Sequence, residues 1–306
     1  MFKSFAAYAV FAAAVTIASV AAAQTEEAPV YLDDRSTPVQ LVRSYFNAID
    51  RGEYVRAYSY IDEEFVGHFD AWQYKFDDVV KTEVSFGQMA QEGAAGSIYY
   101  QLPVTVDFEH AEGDHHIERG CISMRLVHPA DQALPPFQPL RILSAELAKS
   151  YDVAPFAPAK CDSAPLPVPS ASPDFLDDRS SPEQLIRSFY NAIETGDIGR
   201  AHGYFGKNSK LDPNGAWGVA MEDVSRVDLT LGVPQTDSRA GWIAYGVPVR
   251  VDIVGDTGER WTEVGCIHAY WEMPNDAEPY TPMSLGPMNL EKRPAGEAYA
   301  LPSCVD

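Results

Sequence analysis

The chain has 306 residues and is strongly acidic, with 44 Asp and Glu against 23 Lys and Arg and a formal net charge of −21. Such a surface offers no counter-charge to nucleic acid or to an anionic membrane, which excludes both as partners. The plainest use of the acidity is solubility in an exposed compartment.

The N-terminus opens Met1-Phe2-Lys3-Ser4, runs apolar from Phe5 to Ala23, and reaches Ala21-Ala22-Ala23 before the polar Gln24-Thr25-Glu26-Glu27. A basic start, an apolar stretch and small residues before a polar segment predict a cleavable secretory signal over 1–23, followed by a short extension, 24–30. The stretch is rich in Ala and short for a membrane span, so no insertion is expected after cleavage. The expectation is an extracytoplasmic protein, periplasmic or secreted. In an exported chain the four cysteines, Cys121, Cys161, Cys266 and Cys304, argue for disulfides, and four cysteines allow three pairings.

The segment Leu32-Asp-Asp-Arg-Ser-Thr-Pro recurs as Leu176-Asp-Asp-Arg-Ser-Ser-Pro, and 16 of 26 positions agree from Leu32 to Ala57 at an offset of 144. Leu102-Pro-Val-Thr-Val-Asp107 pairs with Val247-Pro-Val-Arg-Val-Asp252, and Gly120-Cys121-Ile122 with Gly265-Cys266-Ile267. The chain is therefore a duplication, with one copy over 31–162, a Pro-rich spacer over 163–174 and a second copy over 175–306. Each copy holds one early and one late cysteine. The simplest pairing is Cys121–Cys161 and Cys266–Cys304, whereas cross-pairing between copies would need the two to dock with matched geometry.

Within each copy, Thr37-Pro38-Val39-Gln40 and Ser181-Pro182-Glu183-Gln184 place a hydroxyl N-cap, Pro at the first helical position and Gln at the third. The stripe Leu41, Val42, Tyr45, Phe46, Ile49, repeated as Leu185, Ile186, Phe189, Tyr190, Ile193, has helical spacing. Gly52 and Gly196 end that helix, and a second short helix follows in each copy, Glu53 to about Ile61 and Asp197 to about Phe205. Val104, Val106 and Phe108 alternate with polar residues, as do Val249, Val251 and Ile253, which predicts half-buried strands. The Pro-containing segments Leu134–Leu140 and Pro274–Pro287 read as the loop before a last strand. Helices first and an antiparallel sheet after make an α+β domain.

This order, and the wording Pro-Glu-Gln-Leu-Ile-Arg-Ser-Phe-Tyr-Asn-Ala-Ile from Pro182 with Gly-Asp and Arg-Ala-His-Gly-Tyr following, resembles the NTF2-like (SnoaL-like) superfamily. The first copy has Pro-Val-Gln-Leu-Val-Arg-Ser-Tyr-Phe-Asn-Ala-Ile, then Gly-Glu and Arg-Ala-Tyr-Ser-Tyr. The resemblance implies two tandem cone domains, each with helices packed on a curved antiparallel sheet that encloses a pocket. It leaves chemistry open, since the superfamily holds isomerases, cyclases, dehydratases, transport factors and binding domains.

Among candidate sites, His110, His115 and His116 with Asp114 suggest transition-metal ligands, but the second copy has no His there, and the simpler reading is a polar turn. Asp107 and Asp252 hold matched strand positions, where a carboxylate could serve as general base; alternation puts them opposite the Val residues, on the wetter face. Asp33-Asp34-Arg35 and Asp177-Asp178-Arg179 more simply tie down the segment before the helix. Aromatic residues crowd the first copy, and Tyr45, Tyr58, Trp72 and Tyr99 are the expected pocket residues. No serine-hydrolase elbow, zinc-protease, Cys-x-x-Cys, Walker or dinucleotide pattern occurs, so no catalytic residue, cofactor or metal is assigned. The sequence thus points to a non-enzymatic binding or docking protein for a small hydrophobic molecule or an envelope protein. The alternative is a SnoaL-like enzyme using Asp107 or a histidine as base.

Overall fold

A computed structural model describes residues 29–62, 68–128, 131–132, 136–150, 161, 175–206, 211–212, 215–239, 241–274 and 279–304. The expected signal and spacer lie outside these residues. Among the described residues each copy has three helices and a five-stranded antiparallel sheet, which makes the chain α+β. No helix among the described residues is long and apolar enough to cross a membrane.

The first copy comprises α1 (Pro38–Asp50), α2 (Tyr54–Ser59), α3 (Phe69–Gln73), β1 (Val79–Phe86), β2 (Ala90–Ala94), β3 (Ser97–His110), β4 (His115–Val127) and β5 (Arg141–Ser150). The second repeats it as α4 (Pro182–Glu194), α5 (Ile198–Gly203), α6 (Ala216–Glu222), β6 (Val224–Leu231), β7 (Gln235–Arg239), β8 (Trp242–Gly255), β9 (Arg260–Glu272) and β10 (Ser284–Pro294). Thr37 Oγ1 accepts from the Gln40 amide and Ser181 Oγ from the Gln184 amide, both at 3.2 Å, so the caps form as their sequence dictates. The Gln40 side chain donates to Asp34 Oδ2 at 3.0 Å, not back to the cap. Gly52 and Gly196 take φ of 68° and 69°, the left-handed backbone that ends a helix.

Strand order is β1-β3-β4-β5 with β2 also on β3, and β6-β8-β9-β10 with β7 also on β8. The long β3 therefore pairs β1 along its C-terminal half and β2 along its N-terminal half. Its even positions, Tyr100, Leu102, Val104, Val106 and Phe108, are buried against Leu41, Tyr45, Phe46 and Ile49 of α1 in one core. Each such large apolar side chain contributes about 1.5–3 kcal/mol on burial. The second copy has its own core, from Leu185 and Phe189 to Ile253 and Ile267. β10 begins at Ser284, before Pro287, where a loop is expected from the sequence; its register shifts between Leu285 and Met288, and an edge strand tolerates Pro at such a bulge.

The disulfides are Cys121–Cys161 and Cys266–Cys304, one within each copy, and no described cysteine is free. They are consistent with an oxidising environment. Each follows a glycine of matched purpose: a Cβ on Gly120 would lie 1.8 Å from the Glu146 carbonyl oxygen, and one on Gly265 1.9 Å from that of Asn289. The neighbouring strand thus passes where any side chain would sit.

The Asp-Asp-Arg segments do more than tie down their own helices: they join the copies. Asp34 and Asp178 form an antiparallel bridge. The Arg35 amide donates to Asp177 O and the Arg179 amide to Asp33 O, each at 2.7 Å. The Asp33 amide reaches Ser180 Oγ and the Asp177 amide Ser36 Oγ, each at 2.8 Å. Locally, Ser44 and Ser188, both fully buried, clamp the amides of Asp34 and Asp178 at 2.9 Å. The duplication is thereby closed into a pseudo-two-fold pair.

Candidate functional site

In the first copy, α1, α3 and the helix-facing side of β3, β4 and β5 leave a cavity of about 470 Å³. Tyr45, Trp72, Phe76, Phe108 and Leu147 line it, with Glu118 in the wall and Lys75 exposed at the rim. Tyr45 and Trp72 meet edge to face at 6.2 Å between ring centroids, and Trp72 and Phe76 at 5.2 Å. Burial above all pushes the Tyr45 phenol well above its ordinary range; a hydrogen bond with Trp72 works against this and the Glu118 carboxylate adds to it.

Glu118 ends a chain of titratable groups. It lies 3.6 Å from His116 Nε2, and His116 Nδ1 lies 2.6 Å from His110 Nε2. His110 Nδ1 lies 3.1 Å from the Asp78 carboxylate, within ion-pair range but off line for a hydrogen bond. The rings stack, Phe108 on His116 and His110 on His116, each pair at 4.8 Å. Burial lowers the His116 pKa below the ordinary histidine value, while Glu118 pulls the other way. Alternation along β4 puts His116 and Glu118 on the helix-facing side with Ile122 and Met124, and His115 on the opposite side.

The residues singled out from sequence separate. Tyr45 and Trp72 line the cavity. Tyr58 is buried behind Trp72, 5.4 Å away between ring centroids. Tyr99 sits on the far face of β3, where the Arg125 guanidinium lies 5.9 Å from its ring centroid. Asp107 is on that same far face, 3.1 Å from His115 Nδ1, and Asp252 meets Thr262 at 2.6 Å and Arg250 at 2.7 Å. The three histidines therefore do not converge, and no group of His, Cys, Asp or Glu among the described residues is arranged to hold a metal. Glu118, which sequence reasoning missed, was readable as an inward position: it stands four residues before the buried Ile122 on a strand of period two.

The second copy divides the same place, with Met288 standing where the first has Ala145. About 70 Å³ remains between Phe189, Tyr190, Ile253 and Glu263. Trp261 stands where the first copy has His116, and its Nε1 donates to Glu263 at 3.2 Å. A larger pocket, about 920 Å³, opens beside it, around the bulge of β10. Comparison with known protein families, curated proteins and solved structures finds no match to this chain.

Proposed function

We propose that the chain is a non-enzymatic, extracytoplasmic binding protein of two NTF2-like cone modules, and that its first module holds a small hydrophobic molecule. The observation that carries this reading is the lining of the first cavity, about 470 Å³ among Tyr45, Trp72, Phe76 and Phe108, a single space that the second copy divides between about 70 Å³ and a wider pocket of different lining. A cleft among aromatic side chains offers dispersion and apolar contact to a guest. Glu118 is the acceptor in its wall, so the guest is an apolar molecule with a hydrogen-bond donor. The two disulfides support the extracytoplasmic placement.

The probe that fits this chemistry is N-phenyl-1-naphthylamine, an uncharged aromatic with one N–H, which fluoresces when it leaves water. Saturable binding is expected, to be abolished by Ala145→Trp, which fills the first cavity, and kept by Trp242→Ala in the second copy. Full binding by a folded Ala145→Trp protein would overturn the placement. The Asp78–His110–His116–Glu118 chain favours a second reading, an isomerase-, cyclase- or dehydratase-type enzyme with His116 as base. On that reading the natural guest, incubated with the protein in heavy water, takes up deuterium at carbon, and His116→Gln stops it. No deuterium uptake leaves the binding role alone.

A further inference from the structure

The pocket of the second copy has a different chemistry. Its rings are Phe205 and Trp217 at one end, 5.9 Å apart edge to face, and Trp242 and Tyr270 at the other, 6.0 Å apart. Leu285 and Met288 add apolar wall. Among the described lining residues Glu272 is the one carboxylate, and no Lys, Arg or His is present. It faces Trp242 across the β8–β9 ladder.

The duplication shows what changed. In the first copy the ladder positions matching Trp242, Tyr270 and Glu272 hold Ser97, Arg125 and Val127. There Arg125 donates to Ser97 Oγ at 3.0 Å. At three adjoining positions the second copy thus has an indole, a phenol and a carboxylate where the first has a hydroxyl, a guanidinium and an alkyl group. Every exchange favours a cation. Trp242 already takes one on its ring, the Arg239 guanidinium at 5.5 Å, which is itself paired with Asp237 at 3.0 Å.

We propose that this pocket is a separate ligand site for an amphipathic organic cation: a substituted ammonium head against Trp242, Tyr270 and Glu272, and an apolar body along Trp217 and Met288. Aromatic faces attract such heads through the ring quadrupole, and a quaternary head, which has no N–H to donate, is held by ring faces and by the Glu272 charge. The net charge of −21 raises the local concentration of any cation. The inference is independent of the first copy's cavity.

Benzyltrimethylammonium and its uncharged carbon isostere, neopentylbenzene, test it on the mature, unreduced chain. Saturation-transfer NMR on the methyl protons and tryptophan fluorescence give the two dissociation constants. The cation is expected to bind at least about tenfold more tightly, since each 1.4 kcal/mol of cation-specific attraction is a factor of ten. Glu272→Gln is expected to weaken it about fivefold and Trp242→Ala about tenfold, with circular dichroism confirming that both fold. Ala145→Trp is expected to leave it unchanged, which separates this site from the first cavity. Equal or tighter binding of the isostere, no detectable binding of the cation at millimolar concentration, or full affinity in Glu272→Gln would overturn the proposal.

Discussion

The two ends of the joint between the copies are built alike but not satisfied alike, and a single hydroxyl tests the difference. At the first end, Asp33 is almost wholly buried and receives Tyr60 and Tyr280 at 2.9 Å and Tyr31 at 3.4 Å. Tyr280 comes from the other copy. At the second end, Phe175 replaces Tyr31; the rings match in place, since Arg56 lies 4.5 Å from the Tyr31 centroid and Arg200 4.5 Å from that of Phe175. Asp177 is only 2 % exposed, its Oδ1 has no hydrogen-bond partner among the described residues, and the Arg179 Nε is 3.9 Å away. The donor that Asp33 Oδ1 receives is Tyr60, whereas its counterpart Tyr204 turns its hydroxyl to Leu176 O. Phe175→Tyr would bring a donor to the same carboxylate from the other side, at Oδ2, as Tyr31 does for Asp33. A hydrogen bond to a charged group is worth about 1.5–3 kcal/mol, and taking the phenol from water offsets part of it. The expected net gain is about 1 kcal/mol, or roughly 2–4 °C in Tm for a chain of this size. The mirror change, Tyr31→Phe, is expected to lower Tm by a similar amount. Differential scanning calorimetry of the two variants decides it. A folded Phe175→Tyr protein with unchanged or lower Tm would mean that Asp177 is not short of a donor, and the reasoning fails.

The matched glycines make the next prediction: Gly120→Ala or Gly265→Ala is expected to cost about 3 kcal/mol, at the upper end for overpacking, because the clash is with backbone. Urea melts read this, and a loss under about 1 kcal/mol would show that the strands can part. Each disulfide closes a loop of about 40 residues, so Cys266→Ser with Cys304→Ser is expected to cost about 4 kcal/mol. Burial, first, pushes the Asp178 carboxyl up to about 6, and Asp34 and Asp33 across the joint add to this. The folded chain thus holds that proton where an unfolded Asp, near 3.9, has lost it, and stability rises as pH falls from about 7 to 5. Burial also pushes Asp33 up, but Arg35, Arg56 and Arg179 outweigh it and hold the carboxyl below its ordinary value. Its contribution is full above about pH 4 and is lost as pH falls through the folded value. Calorimetry from pH 3 to 8 should therefore find maximal Tm in mildly acid solution, with Asp178→Asn flattening the upper limb; a steady decline from pH 7 downward would contradict this.

Local signals were legible where a short range of sequence decides the outcome. Caps, helix ends, the core alternation of β3 and the disulfide partners were all written in residues that the duplication repeats. β1, β2 and α3 were not read, because Val79–Phe86 alternates only weakly and Phe69–Gln73 is too short to show a helical period. The joint was hidden for a different reason. Asp33-Asp34-Arg35 looks like any helix preface, and only the close meeting with Asp177-Asp178-Arg179 shows that the backbone bridges. Glu118 was hidden by its charge, since a carboxylate in a strand suggests solvent until the strand's register places it beside Tyr45.

The binding role stands or falls on whether the first cavity is occupied. Native mass spectrometry of the protein, kept oxidised, measures that directly when repeated under denaturing conditions. An excess mass present in the native protein, lost on denaturation and missing from Ala145→Trp, is the predicted result. A bare chain mass in the native protein, or an excess that Ala145→Trp retains, would contradict it.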